Sequence, residues 1–376
     1  KSSTQQSLGI IALSLILPLA GPSAGTAGQT SEWRAYAADH AGTKYAPVSQ
    51  INKQTVHDLQ IVWRQSTVPA ATRRGNTMRA PSASQNTPLM ARGRLYISTG
   101  LGVVAALNAA TGQVDWVDAP PAADGTPRRL SASRGVAYWT DDHDARVIAV
   151  IGSQLVALNA DTGERYADFG DQGSVDLVQG YDDRTVEQFR WRSAPLVVND
   201  IVVIGSMIGD IVSHTMPALK TMPPGDVRGF DVRTGEQRWI FHTIPREGEA
   251  GNDTWLTALS EDRASWEYTG NTNMWASPSA DEELNYVYLP LSTPTSDYYG
   301  GHRPGNNLFA ESLVCLDAAT GERIWHFQAV HHGLWDYDFP AAPTLVDITV
   351  DGRTIKAVAI TSKQAHTYVF DRVTGE

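Results

Sequence analysis

The feature that most constrains this chain is a short run that returns five times: an apolar strand end, Asp or Asn, two variable residues, then Thr-Gly. The copies read ALNAATGQVDW from Ala106, ALNADTGERYA from Ala157, FDVRTGEQRW from Phe230, LDAATGERIW from Leu316 and FDRVTGE from Phe370. Their glycines are Gly112, Gly163, Gly235, Gly321 and Gly375, and three copies place Trp116, Trp239 or Trp325 four residues further on. Each copy reads as a hairpin corner. The Asp or Asn side chain bonds its own turn, Gly takes a positive φ, and the tryptophan opens the next strand. A large indole at one fixed place per repeat is what stacked sheets need to fill the gap between neighbours. The glycines lie 51 to 86 residues apart, too far for a helical solenoid and suited to four-stranded blades with loops of variable length.

Short apolar runs bounded by turn residues lie between the corners: Arg94 to Ser98, Val147 to Val150, Asp200 to Ile204 and Asn285 to Leu289. They read as strands. Little of the chain after residue 30 has helical period; the main stretch that does runs from Ser49 to Gln60, with Asn52 as the candidate N-cap. The chain is therefore expected to be an all-β propeller. With 376 residues, 42% hydrophobic, and 11 Trp, it can bury a large core. A formal charge of -11 argues against a nucleic-acid surface. The single cysteine, Cys315, excludes an internal disulfide, a Cys-rich zinc site and a Cys-x-x-Cys-His haem attachment within these residues. On the strand Leu313 to Leu316 it reads as a small apolar residue.

Residues 1–27 read as a signal peptide. Lys1 precedes an apolar stretch from Leu8 to Ala20, and Gly25-Thr26-Ala27 fits cleavage after Ala27. The stretch is shorter than the roughly 20 apolar residues a spanning helix needs. Export to a periplasm or outside the cell is the expectation, with no integral membrane segment and residues 28–376 as the propeller.

The densest chemical cluster is the run from Val330 to Pro340, VHHGLWDYDFP. Asp336 and Asp338, with His331 and His332 upstream, could supply a general base beside a metal. The residues by themselves suit rather better a turn cap ahead of Pro340 with packed aromatics. Adjacent His331 and His332 point different ways on an extended chain, which argues against a two-histidine metal site.

From Trp33 to its last residue the chain resembles the pyrroloquinoline quinone (PQQ) dependent dehydrogenases. The likeness rests on WRAYAAD from Trp33, GTKYAP from Gly42, RGVAYW from Arg134, the repeated corners, and WDYDFPAAP from Trp335. The last stretch looks closest to the glucose dehydrogenase branch. The resemblance implies an eight-bladed propeller with tryptophan-docking motifs, and an oxidoreductase that oxidises the hydroxyl of a sugar, polyol or alcohol. Electrons would pass to a quinone or cytochrome. It further implies Asp336 as catalytic base, Lys363 as donor to the quinone oxygens, Trp275 as the stacking surface for PQQ and Arg134 as the grip on a cofactor carboxylate. These types suit the tasks: an ionised carboxylate takes a proton, a cation stabilises developing charge and a planar fork matches a carboxylate. The implied metal, Ca²⁺ or another divalent or lanthanide ion, would draw on Asp210, Asp336 and Asp338.

The chain departs from the family pattern in places. Thr293 stands where the family has a ligand asparagine, Leu101 where glucose-type members have a histidine, and residues 128–133 lack the vicinal disulfide of methanol dehydrogenases. Five corners imply about five of eight blades, so this stretch alone is expected to be inactive and poorly soluble. The alternative from another class is a noncatalytic periplasmic propeller that serves as a binding scaffold.

Overall fold

A computed structural model describes residues 32–67, 84–119, 134–141, 143–181, 186, 189–191, 193–206 and 220–376. Within them the chain forms five antiparallel sheets that follow one another in sequence. The first holds β1 (Leu89–Ala91), β2 (Arg94–Ser98), β3 (Val104–Asn108) and β4 (Val114–Asp118). The second holds β5 (Ala137–Thr140), β6 (Ala145–Ile151), β7 (Gln154–Asn159) and β8 (Val175–Asp176). The third holds β9 (Leu196–Val198), β10 (Ile201–Ile204), β11 (Val227–Asp231) and β12 (Gln237–Phe241). The fourth holds β13 (Ser279–Asp281), β14 (Tyr286–Pro290), β15 (Ser312–Asp317) and β16 (Arg323–Gln328). The fifth holds β17 (Thr344–Val350), β18 (Arg353–Thr361) and β19 (Thr367–Asp371). Strand order within each sheet is sequence order. The first strands of successive sheets touch, β1 with β5, β5 with β9, β9 with β13 and β13 with β17. This is the blade arrangement of a propeller, with the first strand of each sheet innermost.

The continuous apolar runs follow from this geometry. A blade is covered on both faces, so both sets of alternating side chains are buried. On β15, Val314 and Leu316 pack in one core cluster with Val202 and Phe230 of the third sheet. Leu313 and Cys315 pack on the other face with Val358 and Phe370 of the fifth. The core is thus a series of layers between blades.

The corners are built as their sequence suggests. The Oδ1 atoms of Asn108, Asn159, Asp231, Asp317 and Asp371 each accept two backbone amides, those two and three residues on, at 2.8 to 3.1 Å. The glycines have φ between 71° and 79°. Each indole docks on the corner of the next blade. Trp116 Nε1 donates to Ala160 O at 3.0 Å, Trp239 to Ala318 O at 2.8 Å and Trp325 to Arg372 O at 3.1 Å. Their rings lie against Gly163, Gly321 and Gly375, where any Cβ would stand less than 3 Å from the indole.

Two parts of this pattern go beyond the sequence reading. Trp63 docks on Gly112 ahead of the first sheet and donates to Ala109 O at 3.1 Å. Its signal is an apolar-Trp-basic triplet, Val62-Trp63-Arg64, without a preceding corner. The second corner has Ala167 where the others have Trp, and there Arg146 Nη1 donates to Val232 O at 3.3 Å and Arg233 O at 2.8 Å, while Val175 and Phe169 lie against Gly235. The helix expected over residues 49–60 is corrected to one 3-10 turn, Val56–Asp58, preceded by Thr55. Ile51, Val56 and Leu59 are all exposed, so no apolar face is buried to sustain a longer helix. Asn52 closes a local turn, its Oδ1 accepting from Gln54 N at 2.9 Å.

Candidate active site

Antiparallel order within a blade puts the connection from the fourth strand to the next first strand on the same face as the connection between second and third strands. The corners occupy the opposite face. Asp336 and Asp338 lie between β16 and β17, Trp275 before β13, Ser193 before β9 and Arg134 before β5. Thr293 and Glu311 flank the β14–β15 connection, and Lys363 sits in the β18–β19 turn. All therefore belong to one end of the propeller, although Arg134 and Trp275 are 141 residues apart.

Lys363 is the hub. Its Nζ donates to Asp336 Oδ2 at 2.7 Å and Asp338 Oδ2 at 2.9 Å, and lies 5.6 Å from the centroid of the Trp275 ring. Burial works against the ammonium, but the two carboxylates outweigh it and raise its pKa. Asp338 is buried and its oxygens are engaged. Oδ1 accepts from Thr293 N at 2.7 Å and lies 3.0 Å from the Thr293 hydroxyl, and Oδ2 accepts from Trp275 Nε1 at 2.8 Å as well as from Lys363. Asp336 is half-buried, and burial, followed by the charge of Asp338, pushes its pKa up to about 6. Asp336 also holds φ 55°, in the left-handed region that a residue other than glycine occupies only under constraint.

Trp275 is partly exposed, between two cations. Arg134 Cζ lies 5.4 Å from its ring centroid. Arg134 Nη1 donates to Trp275 O at 2.7 Å and Ser193 Oγ at 3.0 Å, and Ser193 Oγ donates to the same carbonyl at 2.6 Å. A flat indole with a guanidinium and an ammonium beside it fits a flat, polyanionic ring system. For a metal the described residues offer less. Among them no three His, Cys, Asp or Glu side chains converge as a cage, and Asp210 lies outside the described residues. His332 bonds Gly305 O through Nδ1 at 2.9 Å, and burial, then Arg303, lowers its pKa.

Sequence reasoning missed Ser193 and Glu311. A charged residue at the mouth of an apolar strand, Glu311 before Ser312-Leu313-Val314-Cys315-Leu316, was the only signal for the second. A separate cavity of about 880 Å³, lined by Arg34, Asp39, His40, Tyr138, Asp141 and Glu282 among others, contains none of the site residues.

The family described as PQQ, glucose/ethanol/alcohol dehydrogenase, beta-propeller domain, matches residues 33–376. The chain belongs to this family. Among curated relatives it is 33% identical over 371 residues to the quinate/shikimate dehydrogenase (quinone) of Acinetobacter baylyi, covering 92% of this chain and 43% of that protein. It is 29% identical over 364 residues to the quinoprotein glucose dehydrogenase of Escherichia coli, with the same two coverages. Among solved structures, the quinohemoprotein alcohol dehydrogenase ADHIIG of Pseudomonas putida superposes with a TM-score of 0.72 at 26% identity, covering 92% of this chain and 47% of the other. The chain thus spans less than half the length of these two curated relatives. Within the family, the propeller fold and the pairing of acids, a lysine and an indole at one end of it now stand together on one chain.

Proposed function

We propose that the protein is a quinoprotein dehydrogenase that oxidises a hydroxyl of a sugar, cyclic polyol or alcohol, with Asp336 as catalytic base. The observation that carries this reading is Lys363 held between Asp336 and Asp338 beside the Trp275 ring. Corner packing alone would serve a noncatalytic scaffold, which has no use for that arrangement.

Trp275, Arg134 and Lys363 are the residues that would hold PQQ, which when bound supplies the two-electron acceptor for an alcohol. The part of this chain is to move the proton. Asp336, half-buried and held by Lys363, is a carboxylate placed to take a hydroxyl proton in the transition state. Lys363 holds its Oδ2 and so aims the carboxylate, while Asp338, buried and saturated with donors, holds Lys363. Ca²⁺ or another divalent or lanthanide ion would draw on Asp336 and on Asp210. Asp338 would have to release Lys363 or Thr293 to join them. Tyr298, exposed and near enough to Asp336 that this charge raises its pKa, presents an aromatic face at the site, and the exposed Trp335 adjoins Asp336 in sequence. Such faces suit the C–H surface of a ring-shaped polyol. The glucose, quinate and glycerol dehydrogenases among the relatives support a polyhydroxylated substrate. A quinone or cytochrome acceptor and a periplasmic location are part of the same proposal; among the described residues no helix is long and apolar enough to cross a membrane.

The test adds PQQ and Ca²⁺ to the protein purified with a complete ring of blades and follows dye reduction with glucose, quinate, glycerol and ethanol. Cofactor-dependent turnover that drops by roughly 10²- to 10⁴-fold in Asp336→Asn supports the reading. A folded protein that neither binds PQQ nor turns over any of them overturns it.

A further inference from the structure

Glu311 is a buried acid to which the chemistry above gives no part. It stands one residue before β15 with φ 47° and has no exposed surface. Its amide donates to Ser292 O at 3.1 Å and its carbonyl accepts from Ala329 N at 2.9 Å, so its backbone is tied to both neighbours. The side chain reaches beneath the 330–338 loop. Oε1 accepts from the Tyr337 amide at 3.0 Å and from the Thr293 hydroxyl at 3.0 Å. Oε2 is buried without a hydrogen-bond partner among the described residues and faces Gly333, where a Cβ would stand 1.7 Å from it. Glycine at 333 is therefore the condition for a carboxyl at this place. A buried carboxyl with one unpartnered oxygen costs stability, so an apolar residue would be the ordinary solution for packing alone.

The loop above Glu311 is held at three points. Arg303 Nη2 donates to Gly333 O at 2.7 Å, Glu311 takes the Tyr337 amide, and Thr293 takes the Asp338 carboxylate. Asp336 lies between the first and second points with its left-handed φ of 55°. A residue so placed returns to ordinary backbone angles unless its surroundings over-determine it. The Tyr337 N–H belongs to the peptide plane that follows Asp336, so fixing that hydrogen fixes the ψ of Asp336.

We propose that Glu311 is a positioning residue: by accepting the Tyr337 amide hydrogen it sets the backbone turn that aims the Asp336 carboxylate at Lys363. The proposal rests on the reading of Asp336 as the base and concerns how that base is aimed. It requires an acceptor oxygen at this place and no charge. In keeping with that, burial, and after it Asp338, lifts the Glu311 pKa to about 7, against the pull of Thr293 and Tyr337.

The experiment compares the protein with a complete ring of blades as wild type, Glu311→Leu and Glu311→Gln. Leucine removes the acceptor, whereas glutamine restores it through its own side-chain oxygen. With PQQ and Ca²⁺ added, Glu311→Leu should lower kcat roughly a hundredfold while KM for the alcohol changes less than about threefold, because displacing a reacting group by about 1 Å costs that much. Glu311→Gln should recover kcat to within about tenfold of wild type. The second readout needs no turnover. In crystals of the cofactor-free proteins, Glu311→Leu should show Asp336 at negative φ and parted from Lys363, and Glu311→Gln should show both features intact. If Glu311→Leu fails to fold, Gly333→Ala displaces the same carboxyl and should give the same kinetics and backbone change. A left-handed Asp336 and wild-type kcat in Glu311→Leu or Gly333→Ala would overturn the proposal. So would equal damage from leucine and glutamine. The backbone change without any dehydrogenase activity in the wild type would uphold the positioning and sink the base assignment instead.

Discussion

Replacing Glu311 with glutamine is expected to flatten the pH dependence of stability between about pH 5 and 8, by an amount that follows from its surroundings. In the unfolded chain this carboxyl titrates near its ordinary value of 4.5, and in the folded protein burial raises it to about 7. The folded state therefore binds the proton more tightly. The stabilising contribution is fully present below about pH 4.5, declines as pH rises and is gone above about pH 7. A shift of that size corresponds to about 3 kcal/mol at 1.36 kcal/mol per pKa unit. Glutamine imitates the protonated form at every pH. Its amide nitrogen against Gly333 adds a fixed cost that does not vary with pH, so the slope of the difference carries the information. Urea denaturation of wild type and Glu311→Gln at pH 5, 6, 7 and 8 gives that slope. The variant should gain about 2–3 kcal/mol on the wild type from pH 5 to pH 8. A difference constant to within about 0.5 kcal/mol would show that Glu311 is not held neutral by burial, and the reasoning would fail.

Gly321→Ala should destabilise the protein by about 2–4 kcal/mol, since the new Cβ would stand 2.7 Å from Trp239 at a φ of 73°; a loss below about 1 kcal/mol in denaturant melts would mean that the corner yields easily. Lys363→Met removes the cation shared by Asp336 and Asp338. It should move the acid limb of the kcat/KM profile upward by about one pH unit or more, and an unmoved limb would separate Lys363 from the base. Cys315 is fully buried, and burial pushes its thiol pKa up, so Ellman's reagent should label it only on unfolding; complete labelling of the native protein within minutes would contradict the packing of β15.

The corners are legible in the sequence because everything they need lies within about ten residues. An Asp or Asn that bonds two amides ahead of it, a glycine that accepts positive φ and an indole at fixed offset are local chemistry, and Asp317, Gly321 and Trp325 do what their order implies. The stretch over 49–60 misleads because polar residues with scattered apolar ones imitate helical period when no partner surface is considered. Asp336, Lys363, Trp275 and Arg134 could be named one by one through family resemblance, and the structure brings those four together. Their shared hydrogen bonds, and Glu311 beneath them, have no local signature.

The division between the two sources has a physical cause. Strand content, corner chemistry and the blade repeat depend on backbone hydrogen bonding and side-chain alternation over a few residues, so the amino-acid order determined them by itself. Which corner Trp63 covers, that Arg146 donates to the third corner's carbonyls where the other corners receive an indole N–H, and that Lys363 joins two carboxylates 25 and 27 residues away depend on how blades turn about a common axis. That rotation is set by packing between whole sheets, and only the tertiary structure decided it.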